Sequence, residues 1–151
     1  MDKDKIKNWL KNPYNLVLIG VLVFALIIRL YYFSLTMNQP LWWDEAEYMS
    51  LAKGFAGIIN SNYVFALNRF PGFPLVASLF YMVGITNEVV LRFFLAFIPS
   101  LIVLFLLYFV IKEMYPDKKI AIISVAILSV LWEHVFYSNR FHTENFSLIF
   151  S

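Results

Sequence analysis

Hydrophobic and polar positions divide the chain into long apolar runs separated by mixed, frequently broken segments. Residues 16–28 are apolar except for Gly20, and 30–33 carry the run past Arg29. About 20 residues of helix cross a bilayer core, so 16–35 is predicted to span. Residues 75–83 form a second run that opens after Pro74 and ends at Gly84. It is too short to cross and reads as a re-entrant or interfacial helix. A third run, 93–111, contains Pro99 but has the length of a span, predicted over 89–111. A fourth, 120–137, has Ser124 and Ser129 as side chains tolerable in a packed helix and Trp132 near its far end. Another apolar run starts at Phe146 and holds six residues up to the last, Ser151, so the expectation is the N-terminal part of a larger polytopic protein.

Between the first and third runs, residues 36–88 are punctuated by Pro40, Gly54, Gly57, Pro71, Gly72 and Pro74. Such a segment reads as a long loop carrying interfacial helices. One of them is placed by Tyr48, Leu51, Ala52, Phe55 and Ile59, which recur at helical spacing, while Asp44 and Glu47 have the separation of an N-terminal capping pair. That helix is expected to lie along the membrane with Leu51, Phe55 and Ile59 packed downward.

Charge sets the sidedness. Lys3, Lys5, Lys7 and Lys11 outnumber Asp2 and Asp4 in the tail 1–15, and Lys112, Lys118 and Lys119 mark the turn 112–119, so both are expected to be cytoplasmic. One crossing before Asp44 and two between it and Glu144 then put 36–88 and the loop 138–145 on the same outer face, with 146–151 starting the next span. A cleaved signal peptide fits poorly, because the first run is long, ends with Arg29 and Tyr31-Tyr32, and lacks a small-residue cleavage signal. Arg29 itself reads as a side chain reaching for the outer interface, with a phosphate contact as the alternative.

Composition agrees with this picture. Of 151 residues, 61% are hydrophobic and 15% charged, against about 25% charged in soluble domains, and the mean hydropathy is +0.70. The fold class expected is an all-α polytopic membrane protein, multi-pass in the plasma membrane, with transmembrane helices plus interfacial helices in a long first external loop. A net charge of +2 with scattered basic residues gives no footprint for nucleic acid. With no cysteine, disulfides, thiolate metal sites and cysteine nucleophiles are excluded. There is no internal repeat, Gly-rich phosphate loop or paired-His zinc motif.

Two clusters combine acids with aromatic or imidazole neighbours on the inferred outer face: Trp42-Trp43-Asp44-Glu45-Ala46-Glu47-Tyr48, and Tyr137-Ser138-Asn139-Arg140 leading to His142-Thr143-Glu144. Together with the basic N-terminus, Ala52-Lys53-Gly54, Arg69-Phe70-Pro71-Gly72-Phe73-Pro74 and Val89-Val90-Leu91-Arg92, their order resembles the opening of a GT-C membrane glycosyltransferase. The branch it is most similar to contains dolichyl-phosphate-mannose protein mannosyltransferases and bacterial lipid A aminoarabinose transferases, over roughly residues 16–151. The resemblance implies transfer of a sugar from a polyprenyl-phosphate-linked donor to a hydroxyl of a lipid, glycan or protein acceptor. It also implies that Asp44 and Glu45 act at the reaction centre, and that His142 and Glu144, with Asp44, sit at a metal or phosphate. The second motif is His-x-Glu here rather than two acids, so a divalent ion, if used, is Mg, Mn or Zn.

Such a transfer needs a base for the acceptor proton and cations for the departing phosphate. Carboxylates supply the first, with Asp44 expected as base and Glu45 in support. Arg69, Arg92 and Arg140 are candidates for the second, since guanidinium grips phosphate oxygens in pairs and stays charged. Structural roles compete at each position: a helix cap for Asp44, carboxylate or headgroup contacts for the arginines, and a hydrated loop beside a helix N-terminus for His142 and Glu144. The rival function is a non-enzymatic lipid or solute transporter. It is disfavoured because the ionisable groups cluster at the outer ends of the spans rather than within them.

Overall fold

A computed structural model describes residues 11–59, 71–143 and 147–149, and these are helical with no strand among them. Six helices follow in order: α1 (Pro13–Thr36), α2 (Trp43–Phe55), α3 (Gly72–Met82), α4 (Glu88–Met114), α5 (Lys118–Val130) and α6 (Trp132–Tyr137). Among the described residues, α1 and α4 are the two helices long and apolar enough to cross a membrane. Large side chains such as Leu16, Val23, Phe24, Ile27 and Leu30 remain exposed along α1. The most apolar part of α1 is only 17% buried against the rest of the chain, whereas a core helix of a soluble protein is mostly covered.

α1 starts where Asn12 accepts from the Tyr14 N–H at 3.0 Å and Pro13 takes the first helical position, where its missing donor costs nothing. α3 is 11 residues long, confirming that the second apolar run is too short to cross. It ends at Gly84, whose φ of +84° lets Ile85 N–H return to the Phe80 carbonyl at 2.9 Å. Gly57, at φ +72°, closes α2 in the same way through Ile58 and Lys53. The expected extension of that helix to Ile59 is therefore corrected. α2 stops at Phe55, and of the three residues expected to pack downward only Leu51 is buried.

α4 is not uniform. Phe93–Phe97 forms a π-helical turn between the α-helical pieces Glu88–Arg92 and Ile98–Met114, with Ile98 N–H bonded to the Phe93 carbonyl. Pro99 follows directly, and a proline can neither donate to the carbonyl four residues back nor avoid crowding it. A wider turn relieves both problems.

The run 120–137, expected as one crossing, is two helices. α5 has 13 residues, the chain extends at Leu131 (ψ 119°), and α6 begins at Trp132. No Pro or Gly marks the break. What accommodates it is Arg29, whose Nη1 donates at 3.1 Å to Ser129 O, one of the last-turn carbonyls that a helix end leaves without an intrahelical partner. The same Nη1 reaches Ala25 O at 3.1 Å, and Nη2 lies 2.6 Å from His134 Nδ1. Arg29 is fully buried, so its expected reach to the outer interface is also corrected. Guanidinium has no acceptor, so the imidazole nitrogen facing it accepts and His134 is neutral.

Two apolar cores result. Leu18 and Ala25 of α1, Leu104 and Tyr108 of α4, and Ala121, Ile122 and Val125 of α5 form one, with alanines allowing close approach. Tyr48, Met49 and Ala52 of α2 pack on Phe73, Ala77 and Tyr81 of α3 and on Leu91, Leu95 and Phe141 in the other. The second core holds α2 beside the segment that follows α6.

Candidate functional site

The start of α2 decides what its acids do. Trp42, not Asp44, is the N-cap, and Glu45 accepts from the Trp42 N–H through Oε2 at 2.8 Å. The capping reading of Asp44 with Glu47 is thereby corrected: the helix begins earlier, shortly after Pro40, and the acid three residues after its true cap is Glu45.

Glu45 is completely buried and does more than cap. Its Oε2 also accepts from Arg140 Nη1 at 3.1 Å, and its Oε1 from the Phe141 N–H at 2.8 Å, with Arg92 Nη1 3.6 Å away. Arg92, fully buried at the end of the first piece of α4, donates to Asn139 O at 2.7 Å and Gln39 O at 3.0 Å. Arg140 also donates to Gln39 Oε1 and stacks over the ring of Trp42 at 4.1 Å and that of Phe136 at 5.3 Å. Asn139 Nδ2 reaches Thr36 Oγ1 at 2.6 Å. The start of α2, Arg92 of α4 and residues 140–141 are thus tied through one carboxylate, and Asn139 adds the end of α1 through Thr36. Two guanidiniums against one carboxylate leave this buried cluster with a net positive charge.

Asp44, on the same helical turn, faces elsewhere. It is half-buried and lines a cavity of about 470 Å³ with Leu41, Trp42 and Trp43; the opposite wall is Phe136, Tyr137 and His142. The Tyr137 and His142 rings meet edge to face, with centroids 5.1 Å apart. Asp44 and His142, ninety-eight positions apart (142 − 44), are therefore brought to one cavity with an aromatic lining, and Arg140 lies behind its Trp42 and Phe136 walls.

Of the residues expected to form a site, Asp44, Glu45, Arg92, Arg140 and His142 converge, Glu45 and the two arginines as a closed buried cluster and Asp44 with His142 at the cavity. Arg69 and Glu144 lie outside the described residues. Among the described residues no group of three or more His, Asp or Glu side chains gathers. Asp44 and His142 offer a divalent ion one carboxylate, which suits Mg or Mn, and one imidazole, which suits Mn or Zn. Gln39 and Asn139 were not anticipated. Both act mainly through backbone carbonyls or an amide contact to a distant partner, which leaves no local sequence pattern. No family model matches this chain, nor does any curated protein or solved structure.

Proposed function

We propose that the chain spans a bilayer and serves a GT-C-type glycosyltransferase that moves a sugar from a polyprenyl-phosphate-linked donor to an acceptor hydroxyl on the outer face. The observation that carries this reading is the meeting of Asp44 and His142 in one aromatic-walled cavity backed by a net positive cluster. Aromatic walls suit the flat apolar faces of a sugar ring, and the positive field of Arg92 and Arg140 favours a phosphate at the cavity. In the transfer, the Asp44 carboxylate takes the acceptor's proton as its oxygen bonds to the anomeric carbon. The bond from that carbon to the phosphate oxygen breaks, and polyprenyl phosphate departs with the electron pair. Glu45 positions the arginines and does not touch substrate. Asp44 and His142 are the residues that would hold a divalent ion, whose contribution would be charge neutralisation at the phosphate.

A transporter is the second reading, favoured by one feature: the helix break at Leu131 with a buried Arg29 beside it. In transporters the carbonyls freed at such breaks coordinate the cargo ion. Here the Ser129 carbonyl is already taken by Arg29.

The test uses vesicles containing the full chain and a set of polyprenyl-phosphate hexoses and pentoses, reading released polyprenyl phosphate and labelled acceptor. Asp44→Asn preserves shape and removes the basic oxygen, and it is expected to lower transfer by about a hundredfold or more while leaving the amount of folded protein unchanged. Transfer by Asp44→Asn equal to that of the unaltered chain would remove Asp44 as base. Absence of transfer by the complete protein, above that of protein-free vesicles, would remove the enzyme reading.

A further inference from the structure

At the opposite end of the long helices lies a second cavity, of about 440 Å³, unrelated to the site above. It opens between the start of α1, the end of α4 and the start of α5. Asn12, Asn15, Lys112 and Lys118 line it at the helix ends. Farther along the helices its walls become apolar, with Leu18 and Leu22 from α1 and Phe105 and Phe109 from α4. Seven residues separate Lys112 from Phe105 (112 − 105), which at a helical rise of 1.5 Å per residue is about 10 Å of depth. The cavity therefore changes from cationic to hydrocarbon-like over about the distance from a phospholipid phosphate to the upper part of its acyl chains.

We propose that this crevice binds an anionic glycerophospholipid from the lysine-rich leaflet, its phosphate between Lys112 and Lys118 and an acyl chain along Leu18, Leu22, Phe105 and Phe109. Charge complementarity selects that occupant. Neither lysine makes an ion pair with an acid among the described residues. Two ammonium groups over an apolar slot match one phosphodiester carrying hydrocarbon, whereas a neutral lipid brings them no net counter-charge and a free phosphate leaves the slot unfilled. Basic pockets between helices at a membrane surface recognise anionic headgroups by this combination.

The proposal rests on the chain entering a bilayer, as the reading above also does, but not on sugar transfer. A chain that does not insert into vesicles defeats both, while lipid selectivity without transfer by the complete protein defeats only the transferase.

The experiment is native mass spectrometry of the full chain released from detergent, titrated with 1-palmitoyl-2-oleoyl phosphatidylglycerol, the phosphatidylcholine of the same chains, glycerol 3-phosphate and inorganic phosphate. Phosphatidylglycerol is expected to be retained at least about tenfold more strongly than phosphatidylcholine. Lys112→Gln and Lys118→Gln are each expected to lower that retention about fivefold, the weight of one lysine beside an anionic headgroup, and Lys53→Gln, which lies elsewhere in α2, to leave it unchanged. Raising salt to 1 M, where screening acts within about 3 Å, should remove most of the preference even without substitutions, so the test survives a variant that does not fold. Equal retention of the two lipids, or lysine variants indistinguishable from the unaltered chain, overturns the site. Displacement of phosphatidylglycerol by glycerol 3-phosphate or inorganic phosphate at matched concentration assigns the cavity to a small phosphate and overturns the lipid.

Discussion

Glu45→Gln isolates the cluster that holds the candidate site together. The carboxylate receives the Trp42 N–H and Arg140 on Oε2, and the Phe141 N–H on Oε1 with Arg92 nearby. An amide of the same shape offers one acceptor oxygen and one NH2 group. In either orientation the NH2 faces a backbone donor and a guanidinium, so two favourable contacts become donor-to-donor conflicts. Two arginines, 0% and 3% exposed, are also left without their counter-charge. Breaking one side of a buried ion pair costs about 3–5 kcal/mol, and at about 2–4 °C per kcal/mol for a chain of this size the thermal midpoint should fall by about 10 °C. Arg140→Met provides the contrast. It leaves Glu45 with Arg92 and two backbone donors, so it should cost less than half as much. The assay is a thermal scan of the purified full chain in one detergent, monitored by helical circular dichroism. A Glu45→Gln midpoint within about 1 °C of the unaltered chain, or a larger loss in Arg140→Met, would refute the argument that Glu45 is the shared anion of the cluster.

Two further outcomes are expected. In this cysteine-free chain, single cysteines at Ile58 and Lys119, both exposed, should react with impermeant maleimide from opposite sides of sealed vesicles; labelling of both from one side would refute the topology behind the proposed function. Arg29→Lys keeps the charge but replaces a fork reaching Ser129 O and His134 Nδ1 by a single ammonium, so it should lower stability by about 1–2 kcal/mol, and a thermal midpoint equal to that of the unaltered chain would show that the fork does not secure the break at Leu131.

The apolar runs made α1, α4 and the short α3 legible, because length and hydropathy are local properties of the sequence. Gly84 marked a helix end for an equally local reason, whereas α3 starts at Gly72, ahead of the expected opening at Pro74. The break at Leu131 was not legible, since what accommodates it is a guanidinium from α1, one hundred residues away in sequence (129 − 29), bonding a carbonyl of the last turn of α5. Pro99 was visible, but not that α4 would answer it with a π turn one step earlier rather than a kink.

Asp44 and Glu45 show why the site was only half readable. Successive residues on a helix point about 100° apart, so adjacent acids in a first turn cannot share one environment. A one-position error in the cap exchanges their roles. With Asp44 as cap, Asp44 would be held by backbone donors and its neighbour would be available; with Trp42 as cap, Glu45 turns inward to Arg92 and Arg140 and Asp44 turns to the cavity with His142. Loss of activity on substituting either acid therefore does not distinguish a base from a positioning residue. Stability does: Glu45 should lose fold and function together, and Asp44 function alone.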